Sequence, residues 1–380
     1  MLKNNDSKLT MKTGTLIAIL ACVITTAFIY AQENPSDLSS KSWQHVATKM
    51  PAEWYSSAEA KSVAENVLIA QKEIGGWEKN KPYHHAFTES EKNHYLNNKK
   101  EIGATFDNGS TITELKFLAK IYSQTKEENY KQAFEKGLNY IFISQYENGG
   151  WPQFFPVRKG FASYSGHITY NDNAMVNTMQ FLKEIYSDDN VFSALNLKKE
   201  EKVKAQKAFD KGVSCILKTQ IVVNGKPTVW CAQHDEVTLA PANARSYELA
   251  SFSGAESVGI VLLLMESDNP SKEIIASVEG AIKWFESHKI EGIRLNSFVN
   301  NDGLNDLEVV KDESAPTLWA RFYDLETEKP YFCDRDGIKK ETFAEMGHNR
   351  RNGYSWYTTA PEKLLSKYTA WKKNITQNSR

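Results

Sequence analysis

Two acid–amide pairs have the residue types and spacing to hold a cation. Asp107-Asn108 and Asn171-Asp172 each precede an apolar run, and the runs end alike, in FLAKIY (Phe117 to Tyr122) and FLKEIY (Phe181 to Tyr186), at a constant offset of 64. Two carboxylates with amide oxygens, brought onto one rim, suit Ca²⁺, which takes six to eight oxygen ligands. The same residues suit plain helix N-capping. The spacing is not that of a calcium loop, so both readings stand. No H-E-x-x-H, clustered Cys/His or EF-hand pattern competes for a metal.

Polar chemistry is also dense in WCAQHDEVTLAPANARSYELASFSG, residues 230–254. His234-Asp235 can form a hydrogen-bonded pair beside a substrate, or can staple its own loop. Arg245 can clamp a carboxylate through its planar fork, or can pair with Glu248 three residues on. Further along come Arg321 in LWARFYDLE, Arg335 in FCDRDG, and Arg350-Arg351. Arginines among aromatics in a chain of net charge -1 point to an anionic ligand rather than a nucleic acid. Their plain alternatives are Asp324 for Arg321, and Asp334 or Asp336 for Arg335. No G-x-S-x-G, P-loop or dinucleotide fingerprint is present.

The elements that must position these groups repeat. Helical apolar runs lead to Gln71, Gln145 and Gln220, each followed by Gly and then by Trp77, Trp151 and Trp230. The Gln spacings are 74 and 75. A second helix follows each Trp. Ile112, Leu115, Leu118 and Tyr122 share one face, as do Met175, Met179, Leu182 and Tyr186. Ser253-x-x-Glu256 has the form of a capping box. About three helical hairpins result, with a fourth first helix near 281–292. The expected fold is all-α, an α/α toroid of repeated hairpins, with the loops after each Trp gathered on one rim. Past residue 292, turn residues and aromatics predict irregular or short-strand chain over that rim. Residues 360–380 read as a final helix and basic tail.

The 380 residues carry 24% charged and 41% hydrophobic side chains, which excludes a mostly disordered chain. Aromatics are plentiful at 12%, enough for a core and for platforms on which sugars stack. The first residues hold Lys3, Lys8 and Lys12, then an apolar run from Leu16 to Tyr30 too short for a comfortable membrane span. This pattern predicts a secretory leader over 1–31, with one catalytic domain over 32–380. The mature chain would be exported to the periplasm or medium, without a membrane segment unless a lipid tether is attached. Loss of the leader would take the net charge to about -3. Cys215, Cys231 and Cys333 would then remain, too few and too scattered for a disulfide framework, and are expected as buried thiols.

Six stretches, taken together and in order, resemble polysaccharide lyase family 10, the secreted bacterial pectate lyases. They are GGWEKN (75–80), FDNGSTITELKFLAKIY (106–122), GGWPQFFP (149–156), HITYNDNAMVN (167–177), residues 230–257 and LWARFYDLETEKPYFCDRDG (318–337). One departure is Glu78, where the family usually has Pro. The resemblance implies an (α/α)3 toroid and calcium-assisted anti β-elimination on polygalacturonate. It implies Arg245 as Brønsted base and Asp172 as a calcium ligand, with Asp107 and Asn108 beside it. It also implies Lys79, His234, Arg321 and Arg335 as substrate-binding groups. The partner would be a pectin oligosaccharide, met by a monomer. The alternatives are a lyase for another uronate, a toroidal glycoside hydrolase using paired carboxylates, and a carbohydrate-binding protein without turnover.

Overall fold

The protein's computed structural model describes residues 38–378; the expected leader, with Cys22, lies outside them. Its helices are α1 (Trp43–Lys49), α2 (Ala58–Ala70), α3 (Glu89–Asn97), α4 (Ile112–Thr125), α5 (Glu128–Ser144) and α6 (Ala174–Tyr186). They continue as α7 (Asn190–Ser193), α8 (Lys199–Thr219), α9 (Glu256–Met265), α10 (Lys272–Ser287), α11 (His348–Asn352) and α12 (Ala360–Asn378). Helices α2/α4, α5/α6 and α8/α9 are the three repeats in chain order; α4 packs on α5 and α6 on α8 to join one repeat to the next, and together the helices build an α/α toroid. The faces read from periodicity are the ones packed inside: Leu115, Leu118, Met175, Met179 and Leu182 are fully buried. Helix α4 opens with a capping box, in which the Thr111 N–H donates to Glu114 Oε2 at 2.6 Å. Helix α9 is apolar almost all round, as an inner helix covered on several sides must be.

The repeats are held by the same bonds each time. The indole N–H of Trp77 donates to Val67 O (2.8 Å), that of Trp151 to Ile141 O (2.9 Å) and that of Trp230 to Ile216 O (2.7 Å). Each bond ties the chain after the turn to the helix before it. The Gln side chains fork. Gln71 Nε2 reaches Gly75 O and Ala133 O, Gln145 Nε2 reaches Gly149 O and Ala208 O, and Gln220 Nε2 reaches Thr228 O and Ser277 O, all at 2.8–2.9 Å. One Gln therefore joins its own turn to the next repeat's first helix. A fourth copy exists: Trp319 donates to Phe285 O of α10 at 2.8 Å. A long antiparallel hairpin, Ile293–Val299 with Asn305–Lys311, separates that Trp from its helix and hides the copy in the sequence. These tryptophans are essentially unexposed, so they build the core and are not sugar platforms. Cys215, Cys231 and Cys333 are free and buried.

Two-residue strand pairs stitch the rim. Ile168–Thr169 pairs with Gln233–His234, and Phe252–Ser253 with Phe322–Tyr323. Backbone bonds from Thr105, Thr169 and Ser253 to the carbonyls of Trp77, Trp151 and Trp230 place each loop at the same height.

Gly149 has φ +96°, and a Cβ there would lie 2.1 Å from Lys211 O; Gly75, its counterpart, has φ +116° and the same conflict with Lys136 O at 2.4 Å. Gly303, at the hairpin turn, has φ +76° and open space around it. Gly303→Ala should cost about 1 kcal/mol of conformational strain. Gly149→Ala should cost distinctly more, because backbone must move as well. Thermal melts of the two variants check the order; equal losses would mean the close approach carries no weight.

Candidate functional site

The rim loops enclose a cleft lined by Lys79, Asn80, Asp107, Asn108, Gln153, Tyr164, Asn171, Asp172, Gln233, Arg245 and Glu248 among others. It runs on past Asp172 and Arg245 to Arg321, Asn352 and Tyr354.

Neither acid caps a helix with its carboxylate. Asn108 and Asp172 occupy equivalent left-handed positions, with φ +52° and +51°. Such a conformation is uncommon for non-glycine residues. Asp107, one residue earlier in its repeat, is almost unexposed and turns into the cleft wall. Its Oδ2 accepts from Lys79 Nζ, and its buried Oδ1 has no hydrogen-bond partner among the described residues. Asp172 is half-exposed and, among the described residues, accepts a hydrogen bond only from the amide of its neighbour Asn171 at 2.8 Å. Partial burial, and then the charge of Asp107, push its carboxyl above the usual carboxylate range. An orphaned buried carboxylate oxygen beside a second, repelled carboxylate is a donor set lacking a cation. Asn108 donates its amide N–H to Asn80 (2.9 Å) and keeps its oxygen for another partner. This set fits a hard divalent ion.

Arg245 is held by Glu248 through two bonds, Nε to Oε2 at 2.7 Å and Nη2 to Oε1 at 2.5 Å. Those hydrogen bonds raise its pKa above the ordinary arginine value, against the effect of burial. Burial works to raise the Glu248 carboxyl, but the bonds from Arg245 and Tyr354 leave it below its usual value. Arg321 is mostly buried. It reaches Glu256 at 2.6 Å and Asn171 at 3.0 Å, and lies 3.9 Å from Asp172. Its partner is thus not Asp324, which instead takes Lys339. The Glu256 N–H donates to Ser253 Oγ at 3.0 Å, one half of the expected capping box, but the Glu256 carboxylate turns to Arg321 instead of closing the other half.

Two expected substrate contacts are placed elsewhere. His234 has no exposed surface. Its Nε2 accepts from the Cys231 N–H at 3.1 Å, so Nδ1 carries the proton and donates to Leu239 O at 2.9 Å. Both nitrogens serve the loop, and Asp235 separately binds the Val237 and Thr238 amides. His234 is therefore a loop staple, not a substrate contact. The guanidinium of Arg335 is exposed and outside the cleft lining; its carbonyl accepts from Ser246, the neighbour of Arg245. Glu78, the departure from the family pattern, pairs with Lys72 (2.7 Å) and Lys81 (3.4 Å). A separate cluster, His167, Asp235 and Glu236, brings three possible ligand atoms within 4.8 Å of one another.

Several lining residues were not singled out from sequence. Gln153 follows Trp151 by the same two positions that separate Lys79 from Trp77, so repeat alignment carries a signal for it. Tyr354 had none, and Glu256, behind the lining, was read only as a capping residue, because their roles come from contacts 106 and 65 residues away.

Three comparisons bear on this site. A family model described as pectic acid lyase matches residues 71–365. The fold matches a family 10 polysaccharide lyase from Cellvibrio cellulosa at 33% identity and TM-score 0.71, covering 85% of this chain and 96% of that one. A mutant of that family 10 enzyme, in complex with trigalacturonic acid, matches at 33% identity and TM-score 0.70, over 84% of this chain and 97% of that one. No curated protein sequence matches.

Burial lowers the His234 pKa to about 4. The unfolded chain then binds the proton more tightly. The stability from a neutral His234 is whole above about pH 6.5 and is lost as pH falls toward 4, a loss of about 3 kcal/mol. His234→Gln should flatten that part of the curve in urea melts across this window. An unchanged slope would mean that His234 is not the titrating group.

Proposed function

The chain belongs to the pectic acid lyase family, and on that footing we propose that it cleaves polygalacturonate by calcium-assisted anti β-elimination, with Arg245 as the base. One observation carries the reading: Lys79, Arg245 and Arg321 face the same cleft as Asp172 and as Asp107, whose buried Oδ1 has no partner among the described residues. A hydrolase needs a carboxylic acid and a carboxylate on opposite sides of a bond. Here one of the two acids is already paired with Lys79.

Asp107, Asn108 and Asp172 would hold the ion, and a bound Ca²⁺ supplies positive charge to the C6 carboxylate of the uronate as negative charge builds there. The chain's own cations do the rest of the electrostatic work. Arg321 is kept in place by Glu256 and Asn171 and can receive a sugar carboxylate on its open side. Lys79 can exchange Asp107 for the substrate once another cation neutralises Asp107. Arg245 takes the C5 proton, the C4–O4 bond breaks, and a C4=C5 double bond remains. Solvent returns a proton to the departing oxygen.

Arg245 must be neutral for that step, and Glu248 opposes it by holding the guanidinium charged. Tyr354 donates to the same Glu248 oxygen at 2.7 Å, so the carboxylate keeps a partner when Arg245 turns to substrate. The fraction of neutral Arg245 then rises tenfold with each pH unit, which supports an alkaline enzyme. Export completes the reading, since the polymer lies outside the cell; the basic and then apolar start of the chain supports it.

Purified protein with polygalacturonate and Ca²⁺ at alkaline pH should raise ultraviolet absorbance from unsaturated ends, and chelator should abolish the rise. New reducing ends without absorbance would mean hydrolysis. Turnover should climb about tenfold per pH unit from neutrality upward, and Arg245→Lys should lower kcat by at least about a hundredfold. A flat profile through neutrality would remove Arg245 as the base.

A further inference from the structure

Residues 157–166 form a closed surface loop beside the cleft. Its two ends meet where the Gln153 and Phe154 amides both donate to Ser165 O, at 2.9 and 3.2 Å. Val157 packs against Gly166 so tightly that a Cβ there would lie 2.8 Å from it. Tyr146 Oη donates to Gly166 O at 2.6 Å, and Ser165 Oγ to Ala162 O at 2.6 Å. The base is therefore fixed, as in compact loops that carry function.

What this loop presents is unusual for this chain. The Arg158 guanidinium lies 3.5 Å from the ring centre of buried Phe154, and Lys79 Nζ lies 5.8 Å from the same ring. Arg158 thus adjoins the cleft wall next to Lys79. The other cleft-side cations have acids: Lys79 has Asp107, Arg245 has Glu248, Arg321 has Glu256. Among the described residues, neither Arg158 nor the exposed Lys159 meets a carboxylate. Phe161, two residues further, is fully exposed and packs against nothing that would hide it. Tyr164 returns the loop to the cleft lining. The loop therefore offers an uncommitted planar cation, already oriented by stacking on an aromatic ring, and, three residues on in the same loop, a bare ring.

We propose that this loop is an outer subsite for a further uronate of the polymer, with Arg158 taking its carboxylate and Phe161 stacking on its sugar face. The inference rests on the lyase reading above and extends it along the chain of the substrate. An acidic polysaccharide carries one carboxylate per sugar, so a free guanidinium past the reacting centre meets the next one. The apolar faces of the sugar match an exposed ring.

The test compares Arg158→Ala and Phe161→Ala with the unaltered protein on polygalacturonate and on trigalacturonate. Loss of one charge-assisted contact should raise the polymer KM about tenfold, with kcat within about twofold and a smaller rise for the trimer. Arg158→Lys should recover part of the loss. Phe161 can be changed without disturbing packing, so Phe161→Ala guards against a folding defect in the Arg158 variants. Retardation in gels containing polygalacturonate reads the subsite without turnover and should weaken in both variants. Unchanged KM and retardation, equal rises for polymer and trimer, or a fall in kcat alone would overturn the subsite. Absence of unsaturated product from the unaltered protein would instead overturn the lyase reading, while retardation still decides the subsite.

Discussion

A buried indole N–H that must find an acceptor is the constraint from which the rest of the molecule follows. Four times, a Trp after a turn donates to a carbonyl of the preceding first helix. A buried donor left without a partner would cost on the order of 1–3 kcal/mol, so each loop is pinned at one place on its helix. The Gln forks then join each turn to the next repeat. Loops that start at the same height on a closed ring of hairpins end on the same rim. Without that register, Lys79, Asp172, Arg245 and Arg321 would lie on unrelated surfaces.

The cleft is electrostatically unfinished. Asp107 carries a buried oxygen with no donor among the described residues, and partial burial, then the charge of Asp107, raise the pKa of Asp172. The cations, by contrast, are committed to acids of the chain. Such a site is cheap to keep folded, because each cation is partly neutralised while it waits. In the proposed reaction a cation would relieve the two aspartates, and the carboxylates of the substrate would replace the internal partners. Glu248 is the clearest case: it holds Arg245 in its charged form, and Tyr354 stands ready to share it.

The Arg158 loop differs in kind. Its cation rests on a ring and is bound to no acid, so a carboxylate arriving there displaces no internal partner. That places it naturally away from the reacting sugar, where affinity matters and charge need not be timed.

The sequence alone determined which segments are helices, that they repeat, and which residue types recur after each Trp, because helical period and turn chemistry are local properties. The Gln and Trp spacings, and the offset between the two acid–amide pairs, are of that kind. It also contained motifs specific enough to suggest the family. Only the tertiary structure decided who pairs with whom. Arg321 chose Glu256 over nearby Asp324; His234 was buried with both nitrogens used; Asp107 was buried and Asp172 left open. The fourth Trp was invisible because a hairpin displaced it from its helix. Partner choice depends on distance and burial between segments far apart in the chain, and neither quantity exists until the ring closes.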